Sequence, residues 1–201
     1  IVDEADAMLG DRDSGGDSGV GGRVFAMIAS QMGDTAYRGK ILWMLLTARP
    51  DALPVDLKRQ GRAEVHIPLF YPDGDAELRH MISVLAKKSG TSVADADIPE
   101  KIANKGNLSG ADIEGIVGRA YRTSLLAGTR TITKDALQQA LETFMPSTQT
   151  LEREAQELAA IIECTDIEFL PPSKKERMDK AGGREKLQER LTAIKQILEE
   201  R

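Results

Sequence analysis

Ile41-Leu42-Trp43-Met44-Leu45-Leu46-Thr47-Ala48-Arg49-Pro50-Asp51 is the stretch that decides the fold class. Its first six residues are a continuous apolar run, the pattern of a strand buried on both faces. On its N-terminal side, Phe25, Ile28, Ala29 and Met32 recur at helical spacing, and Gly33-Asp34 ends that helix. Further upstream, Gly10 through Gly22 is rich in Gly, Asp and Ser and reads as a loop, and Ile1-Val2 reads as the tail of another buried strand. On the C-terminal side, Pro50 and Pro54 break the chain. A short strand, Val65-His66-Ile67-Pro68-Leu69, follows, then a turn at Tyr71-Pro72-Asp73-Gly74. Strands interleaved with helices over 1–72 point to an α/β domain.

The pattern then becomes purely helical. Residues 75–89 place Leu78, Met81, Ile82 and Leu85 on one face. Asp95 or Asp97 is positioned to cap a short helix through Ile102, Ser109 to cap a helix carrying Ile113, Ile116, Val117, Ala120 and Leu125, and Thr133 to precede a helix reaching about Phe144. Pro146-Ser147 reads as a boundary. Beyond it, Leu151, Ala155, Leu158 and Ile162, then Leu187, Leu191, Ile194 and Leu198, follow four-three-four spacing on either side of Leu170-Pro171-Pro172. That spacing suits either a coiled-coil seam or a helical hairpin packed on its own domain. The expected divisions are 1–72, 73–146 and 147–201.

Composition narrows the function classes. The 201 residues carry a formal net charge of -5, which argues against a nucleic-acid binder held by phosphate contacts. Cys164 is the single cysteine, so there is no intrachain disulfide and no zinc spacing, in keeping with a reducing cytoplasmic setting. Cys164 itself reads as a partly buried thiol rather than a nucleophile. No apolar run approaches the roughly 20 residues needed to span a bilayer, and no signal peptide is visible.

Two groups of residues are suited to chemistry. Asp3-Glu4 sits at a strand end, where one carboxylate can hold Mg2+ and its neighbour can orient and deprotonate an attacking water. The same acids also suit a helix N-terminus, where the dipole favours negative charge. Arg59 and Arg62 flank Gly61 after a proline-rich turn. Guanidinium groups there are either solvated surface charge or donors to a developing phosphoryl charge.

The order of these motifs carries a resemblance. An apolar strand end running into Asp3-Glu4 has the form of a Walker B motif. A strand followed by Thr47-Ala48-Arg49-Pro50-Asp51, then Leu53-Pro54-Val55-Asp56-Leu57 and Arg59-Gln60-Gly61-Arg62, is similar to the second region of homology of the AAA family of ATPases. Leu108-Ser109-Gly110-Ala111-Asp112-Ile113 resembles that family's lid, and Thr131 to Pro146 its last lid helix. The resemblance covers about residues 1–146. It implies an α/β fold: a P-loop-type parallel sheet domain, followed by an all-α helical lid and here by a helical C-terminal tail. It further implies ATP and Mg2+ as cofactors, Asp3 as the metal ligand, Glu4 as the catalytic base, and Arg59 and Arg62 as fingers reaching a neighbouring subunit's ATP. Gly110 and Ala111 fall where the lid backbone approaches the adenine, and small residues suit close approach.

Two departures stand out. Thr47 occupies the sensor 1 region, but the family's usual Asn after it is replaced by Ala48. The Thr47 hydroxyl then either substitutes weakly for that Asn or packs as a strand residue. The phosphate-cradling loop Gly-x-x-x-x-Gly-Lys-Ser/Thr has no match in the 201 residues, so the chain reads as the part of an ATPase from Walker B onward, its sheet incomplete and the chain alone inactive. The Ser14 to Gly22 segment lacks a following Lys and corresponds in position to the family's second pore loop, or to a flexible loop. A His of the first lid helix in many relatives falls near Ile82 here, so no ribose contact is implied, and His80 reads as an exposed helix residue. The implied function is ATP hydrolysis coupled to remodelling of a macromolecular client, protein by default, in a homo-oligomeric ring, typically a hexamer, with no membrane or nucleic acid. The alternative is a degenerate, non-hydrolysing AAA scaffold, which Ala48 favours. A clamp-loader or helicase-type relative fits poorly, since those usually carry a lid Arg near Gly110-Ala111.

Overall fold

The computed structural model describes residues 1–9, 20–102, 106–146 and 150–200. They form two compact units, Ile1–Leu69 together with Gln149–Arg201, and Phe70–Thr148. The described residues are mostly helical, and regular β-structure is confined to two isolated parallel bridges, Val2 with Leu45 and Val93 with Ile132.

The first unit begins with the Val2 bridge and helix α1 (Ala5–Leu9), then α2 (Val20–Gly33). Part of the expected loop reading, residues 10–19, lies outside the described residues, while Val20-Gly21-Gly22 form the first turn of α2. Ala5, Leu9, Ile28, Ala29, Met32 and Leu57 make the core, with Trp43, Leu45, Leu53 and Ala63 against it. A 3-10 turn at Pro50–Ala52 and the one-turn helix α3 (Val55–Lys58) follow the two prolines.

The expected buried strand at 41–46 is corrected. Trp43 and Leu45 are half-buried, but Leu42 is 83% exposed, and Ile41, Met44 and Leu46 are also exposed. The alternation is that of an extended segment with one covered face. One helical layer packs on the Trp43–Leu45 side, and among the described residues nothing covers the other. Val65 to Leu69 is likewise extended without a ladder, with Val65, Ile67 and Leu69 exposed. The parallel sheet expected for this part is therefore not seen as a sheet.

The second unit contains α4 (Asp75–Lys88), α5 (Gly110–Leu126) and α6 (Lys134–Glu142). Their apolar faces meet in one core that includes Leu78, Ile82, Ile113, Ile116, Val117 and Leu137. Local chemistry sets the helix starts. Asp112 N donates to Ser109 Oγ at 3.1 Å, and Ser109 N donates back to Asp112 Oδ2 at 2.8 Å, a reciprocal cap for α5. Thr133 caps α6, accepting from Ala136 N. The short capped helix expected through Ile102 is replaced by a 3-10 turn at Asp95–Asp97 with no side-chain cap. Pro99 keeps Ile98 extended and offers no N–H to a helix, and Arg79, reaching across from α4, donates to the carbonyls of Asp95, Ile98 and Pro99.

After 150 the chain returns to the first unit as α7 (Thr150–Glu163), α8 (Pro172–Ala181) and α9 (Arg184–Glu199). Helices α7 and α9 pack on each other within the chain, burying Leu158, Ile161, Leu187, Leu191 and Ile194, as a helical hairpin does. Helix α8 was not anticipated. It buries only Met178 and shows no apolar stripe, and Pro172 at its first position is the start signal. Charge ties the three together: Glu154 accepts from Arg177 and Arg190, and Glu157 from Lys174 and Arg177. No helix of the described residues is long and apolar enough to cross a membrane.

Hydrogen exchange on this 201-residue chain tests the contrast between the extended segments and the lid-like helices. Amides of Leu42, Val65, Ile67 and Leu69 are expected to exchange well before those in the middle of α5, because exposed backbone without ladder partners opens locally. Equal, strong protection of the two regions would contradict the exposure pattern.

Candidate functional site

The Val2 bridge builds the first part of the site. Val2 N donates to Met44 O, Leu46 N to Val2 O, and Ala5 N to Leu46 O, at 2.8, 2.8 and 2.9 Å. This parallel pairing sets Asp3 and Glu4, immediately after Val2, beside Leu46 and Thr47. Both carboxylates are exposed. Glu4 has φ +50°, a left-handed conformation uncommon for a residue with a Cβ. Its N–H donates to Asp3 Oδ1 at 2.9 Å, and its carbonyl accepts from Ala7 and Met8 to start α1. The strain is local and sits at the proposed base, where such outliers concentrate in functional sites.

Thr47 is tied down at both ends of its hydroxyl. It donates to Asp6 Oδ1 at 2.6 Å and accepts from Arg49 N at 2.9 Å. Of the two readings open for Thr47, neither anticipated this: the hydroxyl is the link between the 41–47 segment and α1. Asp6 is thus a residue that sequence reasoning missed, although its place two residues after Glu4 on the opening helix was a signal. Ala48 is exposed and adds no polar group.

Arg59 and Arg62 make their contacts elsewhere, with Asp56. Arg59 Nη1 lies 3.2 Å from Asp56 Oδ1 in an exposed pair, and Arg62 Nη1 donates to Asp56 O at 2.8 Å. An exposed pair of this kind holds Arg59 only weakly. The guanidinium of Arg62 lies along the end of α2, where a Cβ added at Gly33 would touch it at ordinary contact distance, 3.5 Å from Nε. Gly61 between them has φ +82°, which a glycine adopts without strain, and its N–H donates to Glu64 Oε2 at 2.6 Å.

Gly110 and Ala111 lie in the second unit, at the first two positions of α5. A Cβ added to Gly110 would come 3.1 Å from Met81 Cε, so packing within the unit already accounts for a small residue there. Ile82 is buried in that core and His80 is exposed, as expected. Cys164 is buried, its thiol pointing to Asp166 O at 3.0 Å.

The donor set near Asp3 was tested for a metal. Among the described residues, no group of three or more His, Cys, Asp or Glu side chains converges on one point. Asp3 alone, with one carboxylate oxygen engaged by Glu4 N–H, fits the mode in which Mg2+ takes one protein carboxylate and fills its octahedron with phosphate and water oxygens.

Comparison with known proteins finds similarity to ATPases. A sequence profile described as "ATPase family associated with various cellular activities (AAA)" matches residues 1–71. The vesicular-fusion protein sec18 of Schizosaccharomyces pombe is 32% identical over 123 residues, 60% of this chain and 16% of that protein. The vesicle-fusing ATPase of Dictyostelium discoideum is 34% identical over 139 residues, 66% of this chain and 19% of that protein. The ATPase family gene 2 protein of S. pombe is 26% identical over 191 residues, 95% of this chain and 23% of that protein. An alignment of that extent runs through α7 and α8 as well. The chain spans about a fifth of the length of these relatives. Residues 1–71 belong to the AAA family of ATPases, and the likeness to relatives of at least 30% identity continues beyond them.

Replacing Thr47 by Val removes both hydroxyl bonds at nearly constant volume. A loss of about 1–2 kcal/mol in urea unfolding is expected, with Thr47→Ser close to the parent, because the part-buried bond to the Asp6 carboxylate is lost. An unchanged midpoint in Thr47→Val would show that the link is idle.

Proposed function

We propose that this chain is the Walker B-to-lid part of a ring-forming ATPase that couples ATP hydrolysis to remodelling of a macromolecular client, protein by default, in the cytoplasm. One observation carries the reading: the parallel pairing at Val2 sets two adjacent exposed carboxylates, Asp3 and Glu4, at the end of the Thr47-bearing segment. Family membership supports nucleotide hydrolysis in general. In this reading Asp3 contributes its carboxylate to the cation. Glu4, two residues beyond the Val2 bridge and open to solvent, orients a water and takes its proton. Bound Mg2+–ATP supplies the transferable phosphoryl group and neutralises part of its charge. Arg59 and Arg62, held by Asp56 rather than by Asp3 or Glu4, reach a neighbouring subunit's nucleotide, which makes a homo-oligomeric ring, typically a hexamer, part of the proposal. Gly110 and Ala111 keep the lid backbone open to the adenine.

The competing reading is a degenerate scaffold that binds partners without hydrolysis. Ala48 favours it, and so does the commitment of the Thr47 hydroxyl to Asp6, which leaves no sensor-type side chain at that position.

The two readings diverge in one assay. In the full-length protein, Glu4→Gln is expected to lower kcat for ATP hydrolysis by about 10² or more while ATP binding persists, as for loss of a general base. No hydrolysis in the parent form would favour the scaffold. The 201-residue chain, which has no Gly-x-x-x-x-Gly-Lys-Ser/Thr loop, is expected to give no micromolar ATP heat in titration calorimetry. Stoichiometric binding there would require a different phosphate cradle.

A further inference from the structure

The loop carrying Arg59 and Arg62 is bracketed by one residue of the C-terminal helices. Lys58, immediately before Arg59, pairs with Glu163 Oε1 at 2.8 Å, and both side chains are largely covered, at 15% and 24% exposure. Ala63, immediately after Arg62, is reached through His66. The His66 ring lies between two carbonyls, with Nδ1 2.7 Å from Glu163 O and Nε2 2.9 Å from Ala63 O. Each neutral tautomer donates to one of the two, and the doubly protonated ring to both. The same carboxylate stands 3.9 Å from Nδ1. His66 N also donates to Thr165 Oγ1 at 2.9 Å, and Lys195 of α9 pairs with Asp51 just before the loop. Glu163, at the last position of α7, thus meets one end of the four-residue loop through its carboxylate and faces the other across the His66 ring, while Arg62 N–H to Arg59 O and Ala63 N–H to Leu57 O, at 3.1 and 2.9 Å, close the loop on itself.

We propose that Glu163 is a positioning residue for the Arg59–Arg62 loop, so that the C-terminal helices set where the arginine pair reaches. The proposal rests on the reading of those arginines as donors to a neighbouring subunit's nucleotide. A half-buried charge pair backed by a bridging ring resists displacement more than the exposed Arg59–Asp56 pair does. Shifting the loop by about 1 Å would misplace both guanidiniums, the scale at which catalytic contacts lose about 10²-fold.

The test uses the full-length protein and steady-state ATP hydrolysis. Glu163→Gln is expected to lower kcat by about tenfold to a hundredfold with KM for ATP within about twofold, the signature of misplaced transition-state donors. The charge-swapped double variant Lys58→Glu with Glu163→Lys is expected to regain most of the rate. Mixing Glu163→Gln subunits with Glu4→Gln subunits is expected to restore turnover, since the latter lend intact arginine loops to the former's sites. A merely structural role for Glu163 would not show that rescue in trans. An unchanged kcat in Glu163→Gln, or a loss that follows thermal melting and is not rescued by swap or mixing, overturns the proposal. Arg59→Ala and Arg62→Ala distinguish the two levels. If they abolish hydrolysis while Glu163→Gln does not, the arginine reading stands and the Glu163 role falls. If neither arginine matters, both fall.

Discussion

Three backbone hydrogen bonds, from Val2, Ala5 and Leu46, are the interaction on which the candidate site depends. They join two extended segments whose side chains do little of the joining. Each bond contributes only about 1 kcal/mol net, so the geometry they define is held by what packs behind them. Ala5, Leu9 and Leu57 are almost completely buried on that side, and Trp43 and Leu45 lean into the same core. The opposite side of the 41–46 segment is open. The arrangement is therefore half of a layered structure: one face secured by α1 and α2, the other presenting Leu42, Met44 and Leu46 to solvent.

Polar links then refine what the backbone places. Thr47 ties its segment to α1 through Asp6, and the left-handed Glu4 turns the chain from extended to helical between them. Asp56 gathers Arg59 by its carboxylate and Arg62 by its carbonyl, so the two arginines share an anchor while their tips stay near the surface. The C-terminal helices enter the same framework through Glu163. The chain returns after the second unit to pack against the first, which ties residues about a hundred positions apart and makes α7 to α9 part of the first unit.

Helix starts were legible because their chemistry is local. Ser109 with Asp112, and Thr133 before Lys134, satisfy the first free N–H groups of their helices within four residues of sequence. The apolar faces of α4 and α5 repeat at helical spacing, so Leu78, Ile82, Ile113, Ile116, Val117 and Ala120 are legible as core, whereas Leu125 on the same spacing is exposed and the α6 contribution, Leu137 and Ala140, is not read from it. The 95–102 stretch departs from the expected helix because Pro99 forces Ile98 into an extended conformation, a signal local to the sequence that the cap reading passes over. Helix α8 went unseen because a helix held mainly by ion pairs shows no apolar period.

The sequence by itself determined the order of the motifs and, through that order, the likeness to the AAA family. Asp3-Glu4, Thr47 and the Arg59–Arg62 pair stand out only within that likeness, which is what makes their roles a proposal. Tertiary structure alone decided what each of these touches. Asp6 on Thr47 and Glu163 beside the arginine loop are pairings set by chain reversal and packing, whereas Asp56 meets Arg59 and Arg62 across three and six residues of the local turn. An apolar run such as 41–46 specifies only that it prefers burial. Whether one face or both are covered depends on the elements folded against it, and in this chain one face is covered.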